Sequence, residues 1–193
     1  MRLVWMALLV TLALPALHAQ EGTLEGTMKF LQDTLNQQGQ LKWMQAPKAA
    51  PANQVSVEDE VTGAVADPGA CTLSFKLDHR FPDYRVATTW KLAVREIAKV
   101  TVESLEDAAE HARTRAGLPA WDSTTTPRVF NVQFEATAGK KFQSHRKSLN
   151  SSQEVIERDQ EQPLGSLNFR DEVTAQQFSK ALMRARELCR ADR

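Results

Sequence analysis

The clearest hydrophobic pattern in the chain is helical and comes at its end. From Phe169 to Ala191, the residues Thr174, Phe178, Ala181, Leu182, Ala185, Leu188 and Cys189 recur at spacings of three and four. That spacing gathers them on one face of a helix. Asp171 and Glu172 sit in its first turn and arginines gather in its last, as the helix dipole favours. A second, narrower stripe runs through Thr23 to Gln38, where Leu24, Met28, Leu31 and Leu35 step by four, three and four. Thr23 is placed to cap this helix and Gly39 to end it. Its narrow face predicts a helix docked on the main body rather than at its centre.

Between the two helices the period changes to two. Leu41 and Trp43 mark a short strand at Gln40–Met44. Val55 and Val57 open a β-rich stretch that continues through Val61 and Val65 to a turn at Asp67-Pro68-Gly69. Cys71, Leu73, Phe75 and Leu77 alternate with polar residues, and so do Val86, Thr88, Trp90, Leu92 and Val94. Val100 and Val102 make a further short strand. Phe130, Val132 and Phe134 share a face, and Ala138-Gly139 turns the chain into a polar strand, Lys140–Arg146, with Phe142 inward. Val155–Arg158 and Leu164–Phe169 supply two last short strands. Residues 105–127 read as a long excursion carrying one exposed helix over Leu105–Ala116.

The order is therefore a helix, about seven or eight strands, and a closing helix, which defines an α+β fold with a mainly antiparallel sheet. A curved sheet or open barrel with the last helix over its open face satisfies both the strand faces and the helix stripe. The domain organisation follows: residues 1–19 as a signal peptide, 20–45 as first helix and strand, 46–53 as a Pro/Ala linker, and 54–193 as one α+β domain.

The first nineteen residues stand outside this fold. A basic Met1-Arg2 start, an apolar run from Leu3 to Leu14, a break at Pro15 and small residues up to Ala19 have the layout of a secretory signal peptide. The run is short for a membrane span. Cleavage after Ala19 predicts export to the periplasm or medium, with no membrane attachment afterwards. It removes one basic residue, Arg2, and takes the charge balance of 24 basic against 24 acidic residues from zero to minus one. Such a balance does not call for nucleic acid as a partner. Export also permits a disulfide. With only Cys71 and Cys189 present, one intramolecular pairing exists, and both sulfurs lie on apolar faces. Two buried free thiols are the alternative.

The leading TLEGTMKFLQDTLNQQGQLKW stretch, the Cys71-Thr72-Leu73 strand, the strand reaching Trp90-Lys91-Leu92 and the closing helix together resemble an uncharacterised domain of exported bacterial proteins. The strand series with its closing helix is similar to the pleckstrin-homology-like architecture. That resemblance implies a fold and carries no activity. Pleckstrin-homology-like domains often bind phosphoinositides through basic early loops. The early loops here, near Asp59-Glu60 and Asp67-Pro68-Gly69, are acidic or neutral, which argues against that ligand.

Candidate chemistry is sparse. His79, His111 and His145 have no metal-type spacing to one another, and neither HExxH nor CxxC occurs, so no metal or cofactor is expected. There is no GxSxG elbow, and Ser166 precedes a strand rather than a helix. Lys140, Lys141, Arg146 and Lys147 form the only local basic cluster, suited to an anionic partner or simply to a solvated hairpin. Trp121, in the long excursion, is the best candidate for an exposed aromatic. The sequence therefore points to an exported non-enzymatic module binding a protein, peptide or small ligand through a sheet edge or the Trp121 loop. The rivals are a hydrolase assembled from distant loops and a structural accessory of an envelope assembly.

Overall fold

The computed structural model describes residues 22–117, 123–149 and 154–191. The signal-peptide reading of residues 1–19 and the Trp121 candidate lie outside them.

Within these residues the chain forms three α-helices, one short 3-10 turn at Val94–Glu96 and ten strands. In chain order the α-helices and strands are α1 (Leu24–Gln38), β1 (Gln40–Pro47), β2 (Val55–Asp67), β3 (Thr72–Arg80), β4 (Arg85–Ala93), β5 (Ile97–Ser104), α2 (Leu105–Arg115), β6 (Ser123–Thr126), β7 (Phe130–Ala136), β8 (Phe142–Leu149), β9 (Val155–Gln162), β10 (Leu164–Phe169) and α3 (Glu172–Ala191). Seven strands form one sheet in the order β6-β1-β2-β3-β4-β8-β9, and three form a second in the order β10-β7-β5. Every pairing is antiparallel. The α+β class and the two end helices are as expected. The strands are more numerous than the seven or eight expected, and they are divided between two sheets that do not close into a barrel.

Helix α1 starts where Thr23 accepts a hydrogen bond from the Gly26 amide (3.1 Å) and stops at Gly39, whose φ is +61°. Its narrow stripe is nevertheless fully enclosed: Met28, Leu31 and Leu35 have no solvent exposure, so the helix belongs to the core rather than resting on it. Its polar side also has a task. Asn36 bonds both the amide and the carbonyl of Ala64 at 3.0 Å, and Gln32 accepts from the Ala66 amide at 2.9 Å. These bonds satisfy backbone freed by the bulge between Thr62 and Val65, where Gly63 turns with φ +62°.

Helix α3 begins at Glu172, because Phe169 ends β10 and Asp171 caps the Thr174 amide (2.8 Å). Ala175, Phe178, Leu182, Ala185 and Cys189 form its buried stripe. Cys189 is joined to Cys71 in a disulfide with Cα atoms 5.9 Å apart. The bridge ties the end of α3 to the start of β3, so the helix is fastened as well as packed.

Residues 105–127 contain α2, which has no buried residue, and also β6, which pairs with β1. The Pro/Ala stretch is the connection between β1 and β2, which pair as a hairpin. Strand β9 runs on to Gln162, well past the expected end at Arg158.

Candidate functional site

Two sheets leave four edge strands, and on three of them side chains from the helices bond one or two backbone groups. At β6, the Thr125 amide donates to Glu106 Oε1 of α2 (2.7 Å). Burial would raise the Glu106 pKa, but its bonds to Thr125 outweigh this and hold it below the usual range. At β5, Arg186 and Arg190 of α3 donate to the carbonyls of Ala98 (3.0 Å) and Ile97 (3.4 Å). At β10, Gln38 of α1 donates to the Asn168 carbonyl. Strand β9 differs. It is eight residues long, none of them buried, and the side chains that reach its backbone among the described residues come from its own partner strand. An uncovered edge is a template for another strand.

The β8–β9 ribbon has two unlike faces, because opposed residues of an antiparallel pair project to the same side and the side alternates along the strand. On the outer face, Lys147 meets Glu157 (2.7 Å), His145 meets Asp159 (2.8 Å) and Lys141 meets Glu161 (3.8 Å). The bond from Lys147 lowers the pKa of Glu157. The bases all belong to the β8 side and the acids to β9. An open groove of about 450 Å³ lies on this face, lined by Thr89, Lys91, Gln143, His145, Asp159 and Glu161 among others.

On the inner face, Thr88, Arg146 and Arg158 fall in one row across β4, β8 and β9. Two arginines stand directly opposite each other, and no described carboxylate lies within ion-pair distance of either. Like charges so placed repel. Tyr84, 42% exposed, stacks on Phe81 (centroids 4.6 Å apart, planes 17° apart). Partial burial raises the Tyr84 pKa, which the charge of Arg146 partly offsets. Towards the ribbon tip, Leu149 opposes Val155 on the outer face, and Ile156 is exposed on the inner one. Four of the eight exposed large hydrophobic residues described, Tyr84 among them, therefore cluster at this end of the sheet.

Deeper on the inner face, a polar network joins the two sheets. Asp59, 1% exposed, bonds His79 Nδ1 through one oxygen and accepts from Asn168 Nδ2 (2.8 Å) through the other. Asn168 Oδ1 accepts in turn from Asn131 (2.8 Å). An ionised carboxylate only accepts, so Nδ1 carries the proton. The His79 ring lies edge-on to Phe81 (4.7 Å) and 6.2 Å from Trp43. The network links β2, β3, β7 and β10 between the main core and a smaller one around Leu41, Trp43, Val57 and Val129.

Of the residues picked from sequence, Cys71 and Cys189 are brought together. The basic cluster is not brought together. Strand alternation sends Arg146 to the inner face and Lys147 to the outer one, while Lys140 sits in the turn before β8. Trp43 and Trp90 are buried core residues. Arg158, Tyr84 and the Asp59–His79 pair were not singled out from sequence. Comparison with protein-family models, with curated proteins and with solved structures returned no match.

Proposed function

We propose that the mature chain is an exported, non-enzymatic binding module that takes an extended segment of a partner protein as an added strand on the edge of β9. One observation carries this reading: β9 is the single described edge strand whose backbone is bonded by no side chain from outside its own ribbon, while Glu106, Arg186, Arg190 and Gln38 bond backbone groups on the other three. Strand addition supplies affinity through main-chain bonds and specificity through alternate side chains. The exposed apolar residues at the ribbon tip, Leu149, Val155 and Ile156, add contact area at one end of the β9 edge. Export is supported by the leader layout and by the disulfide. The antiparallel sheet with its closing helix also supports the pleckstrin-homology-like likeness, which we carry as a description of architecture alone.

The test is selection of peptides from a random display library on the disulfide-intact mature chain, followed by amide hydrogen exchange of the complex. Selected peptides are expected to slow exchange at residues 155–162. Peptides that instead protect α2 and β5 alone, or no peptides at all, would sink the reading.

A further inference from the structure

The charges on β9 say which strand fits its edge. We infer that the edge rejects a second copy of this chain and accepts a heterologous segment with basic residues on one face and acidic or apolar residues on the other. The inference rests on strand addition at β9.

Consider self-pairing first. In an antiparallel pair related by a two-fold axis, outer-face residues oppose outer-face residues. On β9 that face presents Val155 at its start and then Glu157, Asp159 and Glu161. Every register of this kind that overlaps five or more β9 residues sets acid against acid, and same-sign neighbours across a strand pair are unfavourable. Long exposed edges need such protection against their own copies.

Now consider a foreign strand. Each outer-face acid already has a base from the β8 side, at Lys147, His145 or Lys141, and its other side faces the open edge. Basic residues on the incoming strand continue the order base, acid, base. The inner face is the reverse. Arg146 and Arg158 repel each other with no described carboxylate between them, and an acidic residue beside Arg158 relieves that repulsion. At the tip, Val155 on the outer face and Ile156 on the inner one each receive an apolar residue. The two faces together select alternation, which charge alone does not.

The experiment uses two synthetic peptides of one composition on the unmodified, disulfide-intact mature chain. One alternates Lys and Glu and ends in Val-Val. The other carries the same lysines and glutamates in two blocks before Val-Val. The alternating peptide is expected to bind about tenfold more tightly, to protect the β9 amides from exchange, and to lose most of that preference with Arg158→Gln. Equal affinity of the two isomers, with β9 protected, overturns the charge-by-face inference and leaves strand addition standing. Binding of neither isomer up to millimolar concentration, or binding that leaves the β9 amides unprotected, overturns both. A sedimentation measurement on the chain alone provides the other arm: a monomer is expected, and a dimer whose β9 amides are protected refutes the exclusion of self-pairing.

Discussion

Gly165 lies directly beneath the ring of Phe134. A Cβ built on Gly165 meets Cε2 of that ring at 2.2 Å and Cζ at 2.5 Å. The ring has little freedom to give way, because Phe134 also packs edge-on against Trp90 (6.0 Å) and Phe142 (5.5 Å). Those contacts join the two sheets. Gly165→Ala is therefore expected to destabilise the fold by about 1–3 kcal/mol, the usual cost of overpacking. Urea unfolding checks this, and a loss below about 0.5 kcal/mol would show that the ring relaxes freely.

The Cys71–Cys189 bridge spans 118 residues of sequence. Closing a loop of that size removes entropy from the unfolded chain, about 5 kcal/mol in the chain-entropy model. The double variant Cys71→Ser, Cys189→Ser is expected to lose about 2–5 kcal/mol. Equal unfolding midpoints with and without reductant would remove the bridge from the stability of the fold. Peptide mapping without reductant checks the pairing itself.

Asp59 has both oxygens occupied and almost no solvent. Asp59→Asn turns one acceptor into a donor that faces Asn168 Nδ2 or His79 Nδ1, both donors themselves. A buried mismatch of this kind costs about 1–3 kcal/mol. Asn168→Ala is expected to act through the same network, so the two losses should fall short of additive in a double-mutant cycle. Strict additivity would show that the contacts are independent.

Much of this architecture is written locally. Helices α1 and α3 carry both a 3.6-residue stripe and a cap, and both strand alternation and the cysteine count point to the bridge. Strand β6 is different. Its Ser-Thr-Thr-Thr sequence has no hydrophobic alternation, and it exists because β1 pairs with it and Glu106 holds Thr125. Beyond Ile156, strand β9 is polar on both faces, so its period of two is written in charge: acids at Glu157, Asp159 and Glu161 interleave with Arg158 and Gln160. Read for hydrophobicity, that strand stops early. The Asp59–His79 pair depends on register. Near the turn Asp67 opposes Thr72 and Val65 opposes Ser74, and continuing that spacing would set Asp59 against Arg80. The bulge after Thr62 shifts the pairing by one residue and brings His79 to Asp59 instead. A one-residue insertion held by Asn36 of a distant helix is not a property of the β2 sequence alone.

Acid should reveal the charged cluster on the outer face of β2–β4. Asp78, with 6% of its side chain exposed, bonds Arg85 through both oxygens and Arg80 at 3.2 Å, while Arg80 also reaches Glu58 (2.6 Å) and Glu60 (2.7 Å). Burial alone would raise the Asp78 pKa, but the two arginines outweigh it and hold it below the ordinary 3.8. The unfolded chain then binds the proton more readily than the folded one, so stability rises with pH through this window. The contribution is complete above the ordinary carboxylate value and is lost as pH falls through the lower folded value. Urea midpoints of the wild type should therefore hold steady from neutral pH to about pH 5 and fall below about pH 4. Glu58, Glu106 and Glu157 are also lowered and add to the same slope, so the comparison that isolates Asp78 is with Asp78→Asn. That variant is expected to be less stable by about 1–3 kcal/mol at neutral pH, with the gap narrowing as the wild type protonates. A gap that stays constant down to about pH 2 would mean that the two arginines do not favour the ionised form of Asp78.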